Sequence, residues 1–168
     1  MIKYNNINTE KLMHLVNKAL DRLYLNEDYI FKNDSSERNM VFHFAKYLSL
    51  ELFNSDFNAF NIDCEYNRNK LSKNGIKTIK YNIKNQERRV FPDLIIHKRG
   101  TNEKNILAIE FKKWNNKNKK NIEYDIEKLK AFTSQNGTYK YKLGLFICFE
   151  KERRKVKITT IIDGNMFI

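Results

Sequence analysis

The chain has 168 residues, of which 41% are hydrophobic and 13% aromatic; this suits one globular domain with a sizeable core and excludes an intrinsically disordered protein. Its longest apolar runs, such as residues 143–149, are far shorter than the roughly 20 residues of a membrane-spanning helix, and the first residues lack a secretory signal. The net charge of +12 favours nucleic acid as a partner, although a genome of skewed nucleotide content also produces Lys- and Asn-rich chains. We therefore expect a cytoplasmic protein, away from membranes, whose single domain spans residues 1–168.

The first fifty residues show the spacing of amphipathic helices. Apolar side chains at about residues 9–25 recur every three to four positions, which predicts a helix with one buried face. The same spacing predicts a second helix over residues 35–53. The run Asp34-Ser-Ser-Glu37 is typical of a capping box, in which the Glu37 carboxylate bonds back to the start of the helix.

Beyond residue 53 the apolar spacing changes to alternation, which is typical of strands. The turn-rich stretch 98–104 joins two of these strands into an antiparallel hairpin. Cys64 and Cys148 lie in apolar runs without a CxxC partner, so we expect both to be buried apolar residues and exclude a structural zinc site. The predicted strands cover residues 60–66, 76–83, 90–97 and 105–114, with a polar loop at residues 67–74 and a polar turn at residues 84–87.

The last third of the chain predicts a helix at residues 121–134, a buried strand at residues 141–149 and a final strand at residues 156–162. Because a strand, a helix and a strand in succession form a crossover connection, the strands on either side of this helix should be parallel neighbours. The predicted fold class is α/β, with helices packed on a mixed β-sheet and a core at about residues 35–162.

The predicted hairpin brings together the residue types that hydrolysis of a phosphodiester requires. Residues two apart in a strand share a face, so Glu110 and Lys112 project together while Phe111 points into the core. If the turn occupies about residues 98–105, Asp93 lies opposite Glu110, with Cβ atoms about 5 Å apart. Two facing carboxylates and a lysine can form a Mg²⁺ site, since this ion takes one or two carboxylates and completes its shell with water and substrate oxygens.

Pro92-Asp93, followed by Glu110-Phe111-Lys112, resembles the motif of the PD-(D/E)xK nuclease superfamily, which includes many restriction and repair endonucleases. The resemblance covers most of residues 35–149 and implies a restriction-endonuclease-like mixed β-sheet flanked by helices. It implies that Asp93 and Glu110 bind Mg²⁺ or Mn²⁺ and that Lys112 orients or activates the attacking water. It also makes Glu37, on the helix before the sheet, a third metal ligand; the alternative is that Glu37 only closes the capping box.

Further polar residues are predicted to contact the substrate, each with a structural alternative. By strand parity, His97 shares the face of Asp93 at the far end of the site, although a strand histidine often has a purely structural role. The basic stretch 112–120 either follows a nucleic-acid backbone, with Trp114 stacked on a base, or is a solvated loop. The predicted nucleic-acid contacts are Arg68, His97, Arg99, Lys113 and Trp114, and Glu65, Lys128 and Gln135 are further candidates for the site.

Together these patterns predict an endonuclease that hydrolyses DNA phosphodiester bonds with Mg²⁺ or Mn²⁺. The alternative is a catalytically inactive module of the same fold that binds nucleic acid or a protein partner. A third interpretation is a basic RNA-binding protein in which the motif occurs by chance; its affinity would survive loss of Asp93 and fall steeply with salt. A homodimer is expected if the enzyme cuts both strands of a duplex, because each site cleaves one strand at a time.

Overall fold

A computed structural model describes residues 8–69, 75–81, 86–116 and 118–167 of the chain. Apolar spacing correctly predicts the three long helices, whereas a short helix at residues 28–32 is an addition, because five residues are too few to show a period. No helix in the described ranges combines the length and apolarity needed to cross a membrane. The helices are α1 (Thr9–Asn26), α2 (Asp28–Lys32), α3 (Glu37–Phe53) and α4 (Lys119–Thr133), with a 3₁₀ turn at Arg153–Lys155.

The strands are β1 (Asn61–Cys64), β2 (Thr78–Tyr81), β3 (Gln86–Arg89), β4 (Leu94–His97), β5 (Asn105–Lys113), β6 (Leu143–Phe149), β7 (Lys157–Ile162) and β8 (Asn165–Phe167). Six of them form a sheet in the order β1-β4-β5-β6-β7-β8, and β2 and β3 form a separate antiparallel ribbon. β5 and β6 are parallel and connected through α4, as predicted, while the other pairs in the sheet are antiparallel. The protein is thus mixed α/β, with a mostly antiparallel six-stranded sheet.

Several strand boundaries differ from the predictions. β4 begins at Leu94 rather than at residue 90, because Pro92 has no N–H to donate and Val90 N–H donates outside the sheet, to the carbonyl of Lys77. Gln86 and Glu87, predicted to lie in a turn, begin β3 instead. Residues 70–74 of the predicted loop and residues 84 and 85 of the predicted turn lie outside the described residues.

The sheet separates two apolar layers. On one face, the side chains of Leu94, Ile109 and Phe111 pack in a core with α1 and α3. On the other face, Ile95 and Ala108 pack in a second core with residues of α4. Since side chains alternate along a strand, Glu110 falls on the α4 face of β5, between two residues that fill the first core.

The cysteines are more accessible than predicted. Cys64 is exposed and Cys148 is partly buried, and both are free thiols. Cys64 ends β1, which forms one edge of the sheet and therefore has a neighbouring strand on one side only. The prediction that Cys64 is a buried apolar residue is wrong, because an apolar run at a sheet edge does not ensure burial.

The cap of α3 is Ser36 rather than Asp34. The side-chain oxygen of Ser36 accepts a hydrogen bond of 3.2 Å from Asn39 N–H in the first turn. We expect Ser36→Ala to lower the free energy of unfolding by about 1 kcal/mol, measured by urea denaturation. Ser35→Ala is the matched control, since Ser35 contributes its backbone carbonyl to Lys113 Nζ. Equal losses in the two variants would contradict this assignment of the cap.

Candidate active site

Asp93 and Glu110 come together at one end of the β4–β5 pair. The register aligns Leu94 with Ile109, and the next step along both strands sets Asp93 beside Glu110. Asp93 immediately precedes β4, and its Oδ2 accepts a hydrogen bond of 2.7 Å from the backbone N–H of Phe111. This bond holds the Asp93 carboxylate against β5, at the position that the hairpin predicts.

Glu110 is fully buried, with 0% of its surface exposed. Its Oε2 accepts a hydrogen bond of 2.6 Å from Lys128 Nζ, whereas its Oε1 has no hydrogen-bond partner among the residues that the structure describes. Burial raises the pKa of Glu110 well above its ordinary value, and the negative charge of Asp93 adds to this rise. Burial also raises the pKa of Asp93, against the hydrogen bond from Phe111 N–H. The ion pair with Lys128 therefore does not offset the burial of Glu110, and both carboxylates are costly to ionise.

Helix α4 contributes two further charged side chains, Asp125 and Lys128, both buried. Asp125 lies between two lysines, with its Oδ1 2.8 Å from Lys128 Nζ and its Oδ2 2.5 Å from Lys112 Nζ. Lys128 therefore bridges Asp125 and Glu110. Burial lowers the pKa of Lys112, but the hydrogen bond and charge of Asp125 outweigh it, so the pKa lies above its ordinary value. Lys128 is likewise held as a cation by Glu110 and Asp125.

Glu37 reaches the site from the first residue of α3. Its Oε2 accepts a hydrogen bond of 2.8 Å from the backbone N–H of Lys113, at the end of β5. Glu37 therefore does not close a capping box, and that alternative is wrong because Ser36 caps the helix without it. Burial raises the pKa of Glu37 despite the nearby positive charge of Lys112, and the charge of Asp93 contributes to the rise.

These six side chains form a cluster with excess negative charge. We call it the acid–lysine cluster; its members are Glu37, Asp93, Glu110, Lys112, Asp125 and Lys128. When all are ionised, four carboxylates face two ammonium groups, which leaves two negative charges without a partner. A buried charge that lacks a partner is costly, so the cluster favours either proton uptake or a divalent cation.

The donor set of the cluster fits a magnesium-like ion better than a zinc-like one. Among the described residues, no three His, Cys, Asp or Glu side chains form a ready-made metal site. In the acid–lysine cluster, the Lys128 ammonium group lies between Glu110 and Asp125 and pairs with both. Mg²⁺ requires only one or two carboxylates. Here Asp93 and Glu110 can supply them, the latter through its unpartnered Oε1. Zn²⁺ would need three or four close ligands.

A cleft of about 450 Å³ gives access to the acidic side of the cluster. Glu37 and Asp93 line this cleft together with Arg38 and Glu65, which form an ion pair with each other. The backbone N–H of Glu65 also donates to the carbonyl of Asp93. The structure thus brings Glu65 to the cleft, as the sequence suggests, while β5 and α4 close the cluster from the other side.

His97, Arg99 and Arg68 lie at the opposite end of β4. His97 is four positions beyond Asp93, which corresponds to about 13 Å along the strand. His97 Nε2 is 2.8 Å from Asp63 Oδ2, and the Arg99 guanidinium donates to the same carboxylate. Arg68 lines a different cavity beside His97. These residues are therefore not part of the acid–lysine cluster.

Lys113, Trp114 and Gln135 make structural contacts. Lys113 Nζ donates to the backbone carbonyls of Asp34 and Ser35, both at 2.9 Å, and so ties β5 to the residues before α3. Trp114 packs against the first core, with Lys113 Nζ 4.9 Å from its ring centroid. Gln135 donates to the carbonyls of Thr133 and Tyr141, beyond the last turn of α4 and away from the cluster.

Asp125 is the member of the cluster that the sequence analysis missed. The signal was present: Asp125 is spaced by three and four residues from Ile122 and Leu129, so a carboxylate interrupts the apolar face of α4. Lys128, which the sequence analysis named as a further candidate, lies one turn away and pairs with it. No family model, curated protein or solved structure matches the chain, so any function must be argued from this site.

Proposed function

We propose that this protein is a metal-dependent endonuclease that hydrolyses DNA phosphodiester bonds with Mg²⁺ or Mn²⁺, and that its fold is restriction-endonuclease-like, of the PD-(D/E)xK superfamily. The observation that carries the proposal is the excess negative charge of the acid–lysine cluster. Asp93 and Glu110 lie side by side with raised pKa values, although Lys128 pairs with Glu110, and Lys112 beside them is held as a cation. The same residues form the sequence motif.

Asp93 and Glu110 would hold the metal ion, with Glu37 as a further ligand from α3. When bound, such an ion polarises the scissile phosphate and lowers the pKa of a water molecule. The divalent charge matches the two unpartnered negative charges of the cluster. Lys128 keeps Glu110 oriented through its 2.6 Å hydrogen bond to Oε2, which leaves Oε1 for the ion.

Lys112 would act as a cation rather than as a base. Its pKa lies above the ordinary value because Asp125 holds the proton on Nζ, so the ammonium group is charged at neutral pH. A charged Nζ can donate a hydrogen bond to the attacking water or to a phosphate oxygen and so neutralise charge that develops during the reaction. Asp125 is accordingly a positioning residue for Lys112.

One feature of the site favours the alternative, a nuclease-fold module without catalytic activity. Lys128 already bonds to both Glu110 and Asp125, so internal ion pairs satisfy part of the cluster without a metal ion. Isothermal titration calorimetry with Mn²⁺ separates the two possibilities. An inactive module has no need to bind the ion, whereas the proposed enzyme should bind it in a manner that depends on Asp93 and Glu110.

Supercoiled plasmid DNA incubated with the protein and Mg²⁺ provides the direct test. We expect relaxed and then linear DNA, no reaction in EDTA, and at least about 100-fold slower cleavage by Lys112→Met. Lys157→Met removes an exposed lysine of β7 and is the matched control for loss of one positive charge. Circular dichroism melting verifies that both variants are folded. Cleavage that persists in EDTA, or that is indifferent to Lys112→Met, would refute the proposal.

A further inference from the structure

A second cavity lies at the end of β4 remote from Asp93. It has a volume of about 390 Å³, within the range of pockets that bind small molecules. Its wall is polar and basic, and none of its residues belongs to the acid–lysine cluster. Among the residues that line it are Tyr66, Arg68, Lys77, His97, Thr101 and Asn102.

Lys77 is the unusual member of this wall, because only 2% of its surface is exposed. Its Nζ donates to the backbone carbonyl of Arg68 at 2.8 Å and lies 4.6 Å from the ring centroid of Tyr66. Neither of these partners carries a negative charge. Lysine is rarely buried unless it is paired with an acid, so the contacts of Lys77 lack the expected counter-ion.

No carboxylate of the described residues forms an ion pair with Lys77 or with Arg68. Asp63 is the acid whose charge acts on Lys77, but its oxygens already accept from His97 and Arg99. The sequence from residue 67 to residue 78 contains no Asp or Glu. Two cations therefore line the cavity without an acid of the surrounding chain to neutralise them.

The other polar groups of the wall suit an anion. Burial lowers the pKa of His97, so the ring is neutral at neutral pH and its Nε2–H donates to Asp63. The Thr101 hydroxyl accepts from Glu103 N–H, which leaves the hydroxyl hydrogen as a donor. Asn69 and Asn102 are joined by a hydrogen bond of 3.0 Å, which stiffens the wall beside the cavity.

We propose that this cavity binds the phosphate group of a nucleotide, with Lys77 and Arg68 as its cationic partners. The phosphate belongs either to a free mononucleotide or to a residue of a nucleic-acid strand, and in both cases two cations meet a group of up to two negative charges. The site is independent of the acid–lysine cluster, since it needs neither the metal ion nor Asp93. It therefore stands even if the protein is not a nuclease.

The test measures binding by isothermal titration calorimetry in EDTA at pH 7, so that neither a metal ion nor cleavage contributes. The probes are inorganic phosphate, deoxyadenosine monophosphate and a short 5′-phosphorylated oligodeoxynucleotide. We expect Lys77→Met and Arg68→Gln each to weaken binding by about 10-fold, whereas Lys157→Met leaves it unchanged. Because Lys77 is buried and Arg68 is exposed, Arg68→Gln tests the site even if Lys77→Met fails to fold.

A pH profile gives a second signature of Lys77. Burial lowers the pKa of Lys77 to about 8, so between pH 7 and pH 9 the fraction protonated, and with it the affinity, should fall by about 10-fold. Among the groups that face Lys77, which include Tyr66 and Arg68, His97 stays neutral and Asp63 stays ionised over this interval. Lys77→Met should abolish this pH dependence.

The pattern of probes identifies the source of the phosphate. Binding of the mononucleotide indicates a free nucleotide, and binding of the oligonucleotide alone indicates a strand; either result supports the phosphate site. Failure of all three probes to bind, or binding that folded Lys77→Met and Arg68→Gln proteins retain in full, would overturn the proposal.

Discussion

Replacing Asp93 with asparagine should slow Mg²⁺-dependent DNA cleavage by at least about 100-fold while leaving the fold intact. Asparagine has the same shape, and its side-chain oxygen can still accept the hydrogen bond from Phe111 N–H that fixes the position of residue 93. What is lost is the negative charge beside Glu110. Since the proposed metal site depends on that charge, Mn²⁺ affinity measured by calorimetry should fall together with the cleavage rate.

Glu110→Gln should have the same effect on cleavage, because the amide retains a hydrogen-bond acceptor for Lys128 and loses the charge. Asp56→Asn is the matched control: Asp56 is an exposed acid that pairs with Lys11, remote from the cluster in the structure. If Asp93→Asn and Glu110→Gln cleave DNA as fast as Asp56→Asn, the assignment of the active site is wrong. If both lose Mn²⁺ affinity and the wild-type protein shows no cleavage, the site is a metal site of another kind.

The hairpin could be predicted because its two strands carry strong local signals. Alternation fixes which side chains share a face. The pairing of Asp93 with Glu110 also depends on a register shift between Ile96 and His97, because regular pairing from His97 and Asn105 onward would set Asp93 opposite Ile109. The parallel neighbours β5 and β6 follow from the helix between them. The helices α1 and α4 likewise show one apolar stripe each, whereas α3 also carries apolar residues outside its buried face, such as the exposed Phe42 and Phe53.

The elements that were missed carry weak signals or depend on distant residues. β3 has the polar sequence QERR and is held by β2 rather than by the burial of one face. β8 follows Asp163-Gly164, a dipeptide that favours a tight hairpin turn and could have indicated the strand. The role of Asp125 depends on where α4 crosses the sheet, since its partner Lys112 is thirteen positions away in sequence.

Glu37 shows how local and tertiary interactions compete. The sequence Asp34-Ser-Ser-Glu37 matches a capping box, but Ser36 caps the helix and frees the Glu37 carboxylate for Lys113 N–H on β5. A pattern of four residues cannot indicate a contact with a strand residue 76 positions further along the chain. For the same reason, the second cavity, in which residues of separate segments meet around Lys77, is not visible in the sequence.

The excess negative charge of the cluster also predicts that the carboxylates proposed to bind the metal ion destabilise the metal-free protein. In EDTA at pH 7.5, Glu110→Gln should be more stable than the wild-type protein by on the order of 1 kcal/mol, because burial and the charge of Asp93 raise the pKa of Glu110 and so make its ionised form costly. The variant does not leave Lys128 unpaired, because Asp125 remains 2.8 Å from its Nζ. Three carboxylates and two lysines then remain in the cluster, so the substitution removes repulsion rather than a needed counter-ion.

The pH dependence follows from the direction of the pKa shifts. The folded protein holds the pKa of Asp93 and Glu110 above their ordinary values of 3.8 and 4.5, so their ionised forms cost stability in full above the raised pKa. As the pH falls from neutral through these raised pKa values, the folded protein takes up protons before the unfolded chain does, and this cost is relieved. The free energy of unfolding of the wild-type protein should therefore rise relative to Glu110→Gln over this interval. At still lower pH, acids whose pKa is lowered in the folded protein, such as Asp63, become protonated and no longer stabilise the fold.

Saturating Mg²⁺ should invert the order of stability. An ion that binds only the folded state adds about 2.7 kcal/mol at a concentration of 100 times its Kd, and only the wild-type protein has both carboxylates to bind it. Urea denaturation in EDTA and in Mg²⁺, with Glu123→Gln as an exposed control on α4, measures both halves of the prediction. A Glu110→Gln protein that is less stable than wild type in EDTA would mean that the ion pair of Glu110 with Lys128 stabilises the folded protein more than the excess negative charge destabilises it. In that case the charge imbalance on which the proposed metal site rests would be too weak to favour a divalent ion.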